Sequence, residues 1–324
     1  MDIFGGNHWL IIAFLAPMFW ALVNIIDVYF VDGVYQDEYD GTIISALFQI
    51  LPIIAILFLI KNEVTNSIAF FGRLPEGILL LAVAGGFLVT VSYFFYFKAL
   101  FNKNDAALLQ ILWSLTIIAV PIISFIFLKE ELSFLKYAGM MVTLAGVIML
   151  SLNEKIKSKF SVKYIVIMLM SVVFLSLGMV FQERVYSGLV GFASSNLEFL
   201  AGFLFFSIGG FLGGIFFIFC GRRNPFPLIK KYLHIFIIAE GIQFFGTLAS
   251  QRAIDIAPSV SYVATVETFV PVFILIFSLV IITLSKLVKF NKDVVKKIYE
   301  EQLDGIWIKV FATILMAIGI YIIS

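Results

Sequence analysis

One cysteine and two histidines occur in 324 residues, and only 13% of the chain is charged. A single Cys220 forms no internal disulfide, and with His8 and His234 far apart it leaves no cluster of the kind that holds zinc or a redox centre. Cys220 therefore reads as a small packing residue, and the two histidines as interface residues at span ends. There is no G-x-x-x-x-G-K-[ST] phosphate loop, no H-E-x-x-H and no G-x-S-x-G turn, which argues against ATP hydrolysis and the familiar hydrolytic chemistries. The expectation is a chain that is not an enzyme and carries no metal and no cofactor. A formal charge of +1 without an arginine-rich, aromatic-interleaved stripe makes nucleic acid a poor partner.

Apolar residues are what the chain has in abundance. They make up 62% of it, with a mean hydropathy of +1.07, against roughly 45–50% apolar in soluble domains. Water is not the solvent of such a surface. Backbone groups in lipid must be satisfied within helices or closed barrels, and the apolar runs here are of helix length, about 20 residues. Spans are expected near 9–31, 41–60, 77–97, 106–128, 134–152, 164–182, 197–220, 232–250, 258–284 and 306–323. Trp9 to Val31 is too long for a signal-peptide core and shows no clear cleavage site, so it reads as a retained first span. The one long connection, SKLVKFNKDVVKKIYEEQLDG from Ser285 to Gly305, sets Leu287, Val288, Val295 and Ile298 among lysines, the pattern of a short amphipathic helix on a membrane surface.

The halves of the chain align with one another. Trp9-Leu-Ile-Ile falls on Tyr164-Ile-Val-Ile, and Lys98-Ala-Leu on Arg252-Ala-Ile. Lys136 to Ser151, KYAGMMVTLAGVIMLS, falls without a gap on Lys309 to Ser324, KVFATILMAIGIYIIS. The expected organisation is an all-α membrane protein of about ten helices in two five-helix repeats, 1–152 and 164–324. A basic linker, 153–163, joins them, and the basic segment 285–305 is inserted in the second. Five is odd, so the second copy enters the membrane from the opposite side, and in inverted repeats of this kind the substrate site lies between the halves.

These residues resemble the EamA-like family of the drug/metabolite transporter superfamily. Phe127-Leu-Lys-Glu-Glu-Leu-Ser-Phe-Leu-Lys-Tyr-Ala-Gly139 followed by Leu144-Ala-Gly146-Val147 is similar to the family's acidic turn and glycine-containing fifth span. Trp20-Ala-Leu-Val-Asn24 is similar to its tryptophan-and-asparagine signature. The second half matches from Ala253 to Pro271 and then departs, its acidic turn diluted into 285–305. The resemblance implies a cavity walled by spans 1, 3, 4, 6, 8 and 9, and names no substrate.

Ionisable and polar groups inside spans point to the same region. A charge at the bilayer centre costs at least about 2.5 kcal/mol, so such a group faces a cavity or a partner. Glu240 and Glu267, each some eight residues inside its span, are expected at similar depth in one cavity. Glu240, Gln243, Thr247 and Ser250 recur on one helix face. Ser261, Thr265 and Thr268 form a stripe in span 9, with Glu267 beside it and Pro271 beyond. Pro121 occupies a comparable place in span 4, and paired prolines suggest paired kinks. Span 1 adds Trp20, Asn24 and Asp27, and span 4 adds Gln110, Trp113 and Ser114. Trp20, Trp113, Tyr93 and Tyr262 are candidates to stack on a flat or apolar substrate. Gly209-x-x-x-Gly213 and Gly210-x-x-x-Gly214 read as packing motifs.

Taken together, the residues favour a multi-pass secondary transporter of a small metabolite, in the plasma or inner membrane, working by alternating access. A membrane enzyme acting on lipid intermediates and a non-transporting scaffold are the alternatives. Expected partners are a small-molecule substrate, the bilayer and a coupling proton or ion, with a homodimer also allowed. Odd-numbered loops carry 15 Lys and Arg and even-numbered loops 6, which by the positive-inside rule places both termini outside. The family resemblance implies both termini inside; the charge count, acting directly on insertion, is preferred.

Overall fold

The computed structural model describes residues 8–63, 67–101, 106–152, 162–284 and 305–324, and no strand occurs among them. Ten helices are long and apolar enough to cross a membrane. In chain order, spans 1 to 10 are His8–Gly33, Glu38–Glu63, Glu76–Phe101, Leu109–Leu128, Phe134–Leu152, Val162–Leu189, Ser195–Gly221, Phe226–Ile256, Val260–Thr283 and Ile306–Ile323. The protein is a multi-pass membrane protein. Linker 153–163 and segment 285–305 lie, except for their last residues, outside the described residues. Phenylalanines such as Phe58 and Phe219, and Trp307 of span 10, stay exposed on the bundle surface, where lipid tails are the natural solvent.

Three spans are broken. Span 4 consists of Ala106–Trp113 and Thr116–Leu128, and span 9 of Val260–Glu267 and Val270–Leu284, so every helix start and the break itself repeat at a displacement of 154 residues. The break has a local cause in each copy. Ser114 Oγ donates to the Ile111 carbonyl and Thr268 Oγ1 to the Thr265 carbonyl, both at 2.7 Å, while backbone bonds tighten to an i→i−3 turn. Prolines do not mark these positions equally: Pro121 sits within the regular helix Thr116–Leu128, whereas Pro271 follows the span 9 break closely. The paired kinks expected at the prolines are paired breaks, the one in span 9 beside Pro271, which cannot donate to the Glu267 carbonyl, and the one in span 4 a turn or more before Pro121. Span 2 is broken between Leu47 and Ile50, and span 8 carries a non-helical residue, Tyr232.

Helix pairing obeys the same exchange of halves. Span 3 packs on span 6 as span 8 packs on span 1, and span 4 packs on span 6 as span 9 packs on span 1. The pairs 2 with 7, 4 with 9 and 5 with 10 map onto themselves. Spans 5 and 10 run antiparallel. A Cβ on Gly139 would stand 2.9 Å from the Gly319 carbonyl oxygen, and one on Gly146 2.8 Å from that of Ala312. The alignment of KYAGMMVTLAGVIMLS on KVFATILMAIGIYIIS exchanges these two contacts with each other. All of this is consistent with two inverted five-helix repeats. At one end of the seam Lys136 Nζ donates to the Ile322 and Ile323 carbonyls, at 3.2 and 2.9 Å, supplying donors that the last turn of span 10 lacks.

The glycines of span 7 pack as expected. A Cβ on Gly209 would fall 2.0 Å from the Val83 carbonyl oxygen of span 3, and Gly210, Gly213 and Gly214 approach Gln49, Thr90 and Ala46. Span 2 begins at Asp37, whose side chain accepts from Tyr39 N and Asp40 N and also pairs with Arg223 beyond the end of span 7.

Candidate functional site

Where the two repeats face each other, spans 1, 3, 4, 6, 8 and 9 enclose a cavity of about 100 Å³, with Ser45 of span 2 and Phe206 of span 7 completing the wall. Nine of the thirteen residues singled out from the sequence line it: Trp20, Asn24, Asp27, Tyr93, Gln110, Trp113, Gln243, Thr247 and Glu267. Periodicity explains the convergence, because residues three, four and seven apart on span 1 and on span 8 share a helix face.

Hydrogen bonds fix most of the polar wall. Gln243 Nε2 donates to Tyr93 Oη at 2.9 Å and Tyr96 Oη to Asn24 Oδ1 at 3.0 Å, tying span 3 to spans 8 and 1. Tyr96 in turn meets Trp113 edge to face, with centroids 5.1 Å apart. Towards the start of span 9, Ser250 Oγ donates to Glu267 Oε1 at 2.6 Å. Beside it the Gln251 carbonyl oxygen accepts from Gln182 Nε2 and Tyr186 Oη, both at 2.8 Å.

Four wall residues are unspent, one of them Gln110, whose side-chain amide makes no hydrogen bond among the described residues. Trp20 Nε1 and Thr247 Oγ1 are buried polar atoms without a hydrogen-bond partner among the described residues. Asp27 is 9% exposed, and no hydrogen bond or ion pair joins its carboxylate to another described residue. No lysine, arginine or histidine lines the cavity. Two cations on adjoining helices are engaged elsewhere, Lys98 with Glu38 at 3.7 Å and Arg252 with Asp255.

The other four candidates stand outside the lining. Ser114 and Thr265 each give their hydroxyl to a backbone carbonyl of their own helix. Tyr262 lies near the bundle end, with Trp9 at 6.1 Å between centroids and the Lys136 ammonium 5.6 Å above its ring. Glu240 is buried behind the wall, accepting from Ser45 Oγ at 2.9 Å. The two glutamates are not at similar depth. Glu267 is bonded to Ser250, which is ten residues beyond Glu240 on span 8, about 15 Å along the axis. Glu240 lies near the middle of span 8 and Glu267 is level with its last turns, so the two carboxyls sit at different depths in the bundle.

Tyr96, Ser45 and Gln251 are wall residues that the sequence reading passed over. Tyr96 was detectable as the i+3 neighbour of Tyr93. Ser45 was not, since its direction depends on the break in span 2.

Residues 7–152 match the EamA-like transporter family. This stretch runs to the end of span 5, so the match covers the first repeat, whose span 1 places a tryptophan, an asparagine and an aspartate in the cavity wall. A solved crystal structure resembles the chain with a TM-score of 0.62 at 16% identity, over 98% of this chain and 96% of its own, a likeness of fold. No curated protein matches this sequence.

Proposed function

We propose that this EamA-like protein is a secondary transporter that carries a small metabolite across the plasma or inner membrane by alternating access of the cavity between its repeats. The observation that carries the reading is the cavity itself: it lies within the span bundle, both repeats supply its wall, and that wall carries the carboxyls of Asp27 and Glu267 with amide and hydroxyl groups among its apolar residues. An acid-bearing chamber inside a bundle is costly unless something passes through it. Without a phosphate loop the energy comes from an ion gradient or from exchange. Glu240 and Glu267, at different depths in the bundle, are the groups able to hold and release a coupling proton.

Counterflow tests this. Purified protein is reconstituted in liposomes loaded with an unlabelled metabolite panel, and trace labelled members are offered outside. A transient overshoot of at least one label, absent from protein-free liposomes, is expected. No overshoot with any member of a panel covering amines, acids, sugars and nucleosides would overturn the transporter reading.

A further inference from the structure

A buried carboxylate normally has a partner, because leaving a charge uncompensated away from water is expensive. Glu267 has Ser250, Glu240 has Ser45, Glu198 accepts from Gly191 N and Ala193 N, and Asp255 has Arg252. Asp27 has none, although it is 9% exposed and lines the cavity. One turn away, Asn24 uses its Oδ1 to accept from Tyr96 and makes no hydrogen bond to Asp27 among the described residues. Glu240 stands close enough to act on it electrostatically, and that interaction is repulsive.

The surroundings of Asp27 are equally specific. Trp113, Tyr96, Tyr93 and Trp20 form the aromatic part of the lining, and an aromatic face attracts a cation through its quadrupole. Asp27 and Glu267 are the acidic residues of the lining, and no lysine, arginine or histidine in the lining offsets them. Thr247 Oγ1 and Trp20 Nε1, both on lining residues, are two further buried polar atoms without a hydrogen-bond partner among the described residues.

We infer that the cavity takes an organic monocation: a protonated amine whose ammonium meets Asp27 and whose flat apolar portion lies between Trp20, Tyr93 and Trp113. This names the substrate class of the transporter proposed above and rests on that reading for its role. An anion would meet the two lining carboxyls, Asp27 and Glu267, and no counter-charge. A sugar could donate a hydroxyl to Asp27 but would bring no charge to match the carboxylate and no flat face for the rings. A primary amine on a short aromatic skeleton satisfies the acid and the rings at once.

Binding to the purified protein, read by quenching of tryptophan fluorescence, separates charge from shape with three compounds of similar size. They are 2-phenylethylammonium, the neutral 2-phenylethanol and the anionic 3-phenylpropanoate. The cation is expected to bind at least about tenfold more tightly than the alcohol, with the carboxylate weakest. Asp27→Asn should bring the cation down to the level of the alcohol and leave the alcohol unchanged. The wild-type series stands by itself if the variant does not fold. The inference is overturned if the alcohol or the carboxylate binds as well as the cation, if none of the three binds, or if Asp27→Asn keeps the preference. Counterflow of the carboxylate in the liposomes would overturn the cation and leave the transporter standing.

Discussion

Replacing Glu267 by glutamine removes a proton-binding group from the cavity while keeping its shape and an oxygen that can accept from Ser250. The 2.6 Å bond to Ser250 becomes a neutral one. Charge-assisted bonds exceed neutral ones by about 1 kcal/mol, and a carboxyl that is protonated at rest loses less, so folding should survive with a small change in melting temperature. Transport should change far more. One proton exchanged per substrate lets a difference of about one pH unit, worth roughly 1.4 kcal/mol, drive up to about tenfold accumulation. Liposomes holding wild-type protein should approach that ratio when the gradient is imposed in the productive direction. Liposomes holding Glu267→Gln should stay near equal concentrations inside and out, yet still show counterflow, because exchange needs no net proton movement. Glu240→Gln is the parallel case at the other depth. If both variants accumulate substrate with the pH dependence of the wild type, neither carboxyl carries the coupling proton and the reasoning fails.

Three further outcomes are expected. A cytoplasm-only reporter fused after Ser324 should be inactive and a reporter active only outside should work, since the odd-numbered loops carry 15 basic residues and the even-numbered loops 6; the reverse pattern would show that the charge bias does not set orientation. Gly209→Ala places a Cβ 2.0 Å from the Val83 carbonyl oxygen and should cost about 1–3 kcal/mol, seen as a lower melting temperature in detergent and opposed by an unchanged one. Lys136→Met removes both bonds to the last carbonyls of span 10 and should lower the melting temperature, by the equivalent of about 1–3 kcal/mol, with counterflow retained; loss of counterflow in a stable variant would assign Lys136 to transport instead.

The spans and the repeat could be read from the sequence because both depend on local pattern: apolar length sets a span, and matched positions such as Lys98 and Arg252 reveal a copy. The stripes Trp20, Asn24, Asp27 and Gln243, Thr247 reached the cavity for the same reason. What escaped depends on how elements meet. Ser114 and Thr265 carry hydroxyls that their own helices consume, which composition does not distinguish from hydroxyls offered to a ligand. Tyr262 turns towards Trp9 and Lys136 because span 5 passes it. The depth of Glu267 relative to Glu240 follows from where span 9 begins against span 8, which counting from each helix start does not supply.

The seam between spans 5 and 10 reads the same from either end, and its two contacts, Gly139 with Gly319 and Gly146 with Ala312, straddle the middle of both helices. Under the alternating access proposed above, a seam centred in this way would act as a fulcrum. With each membrane face roughly 15 Å from the centre, a relative tilt of about 10° moves the helix ends by roughly 3 Å in opposite directions at the two faces. Widening one face and narrowing the other are then a single displacement, governed by four small residues far from any ligand.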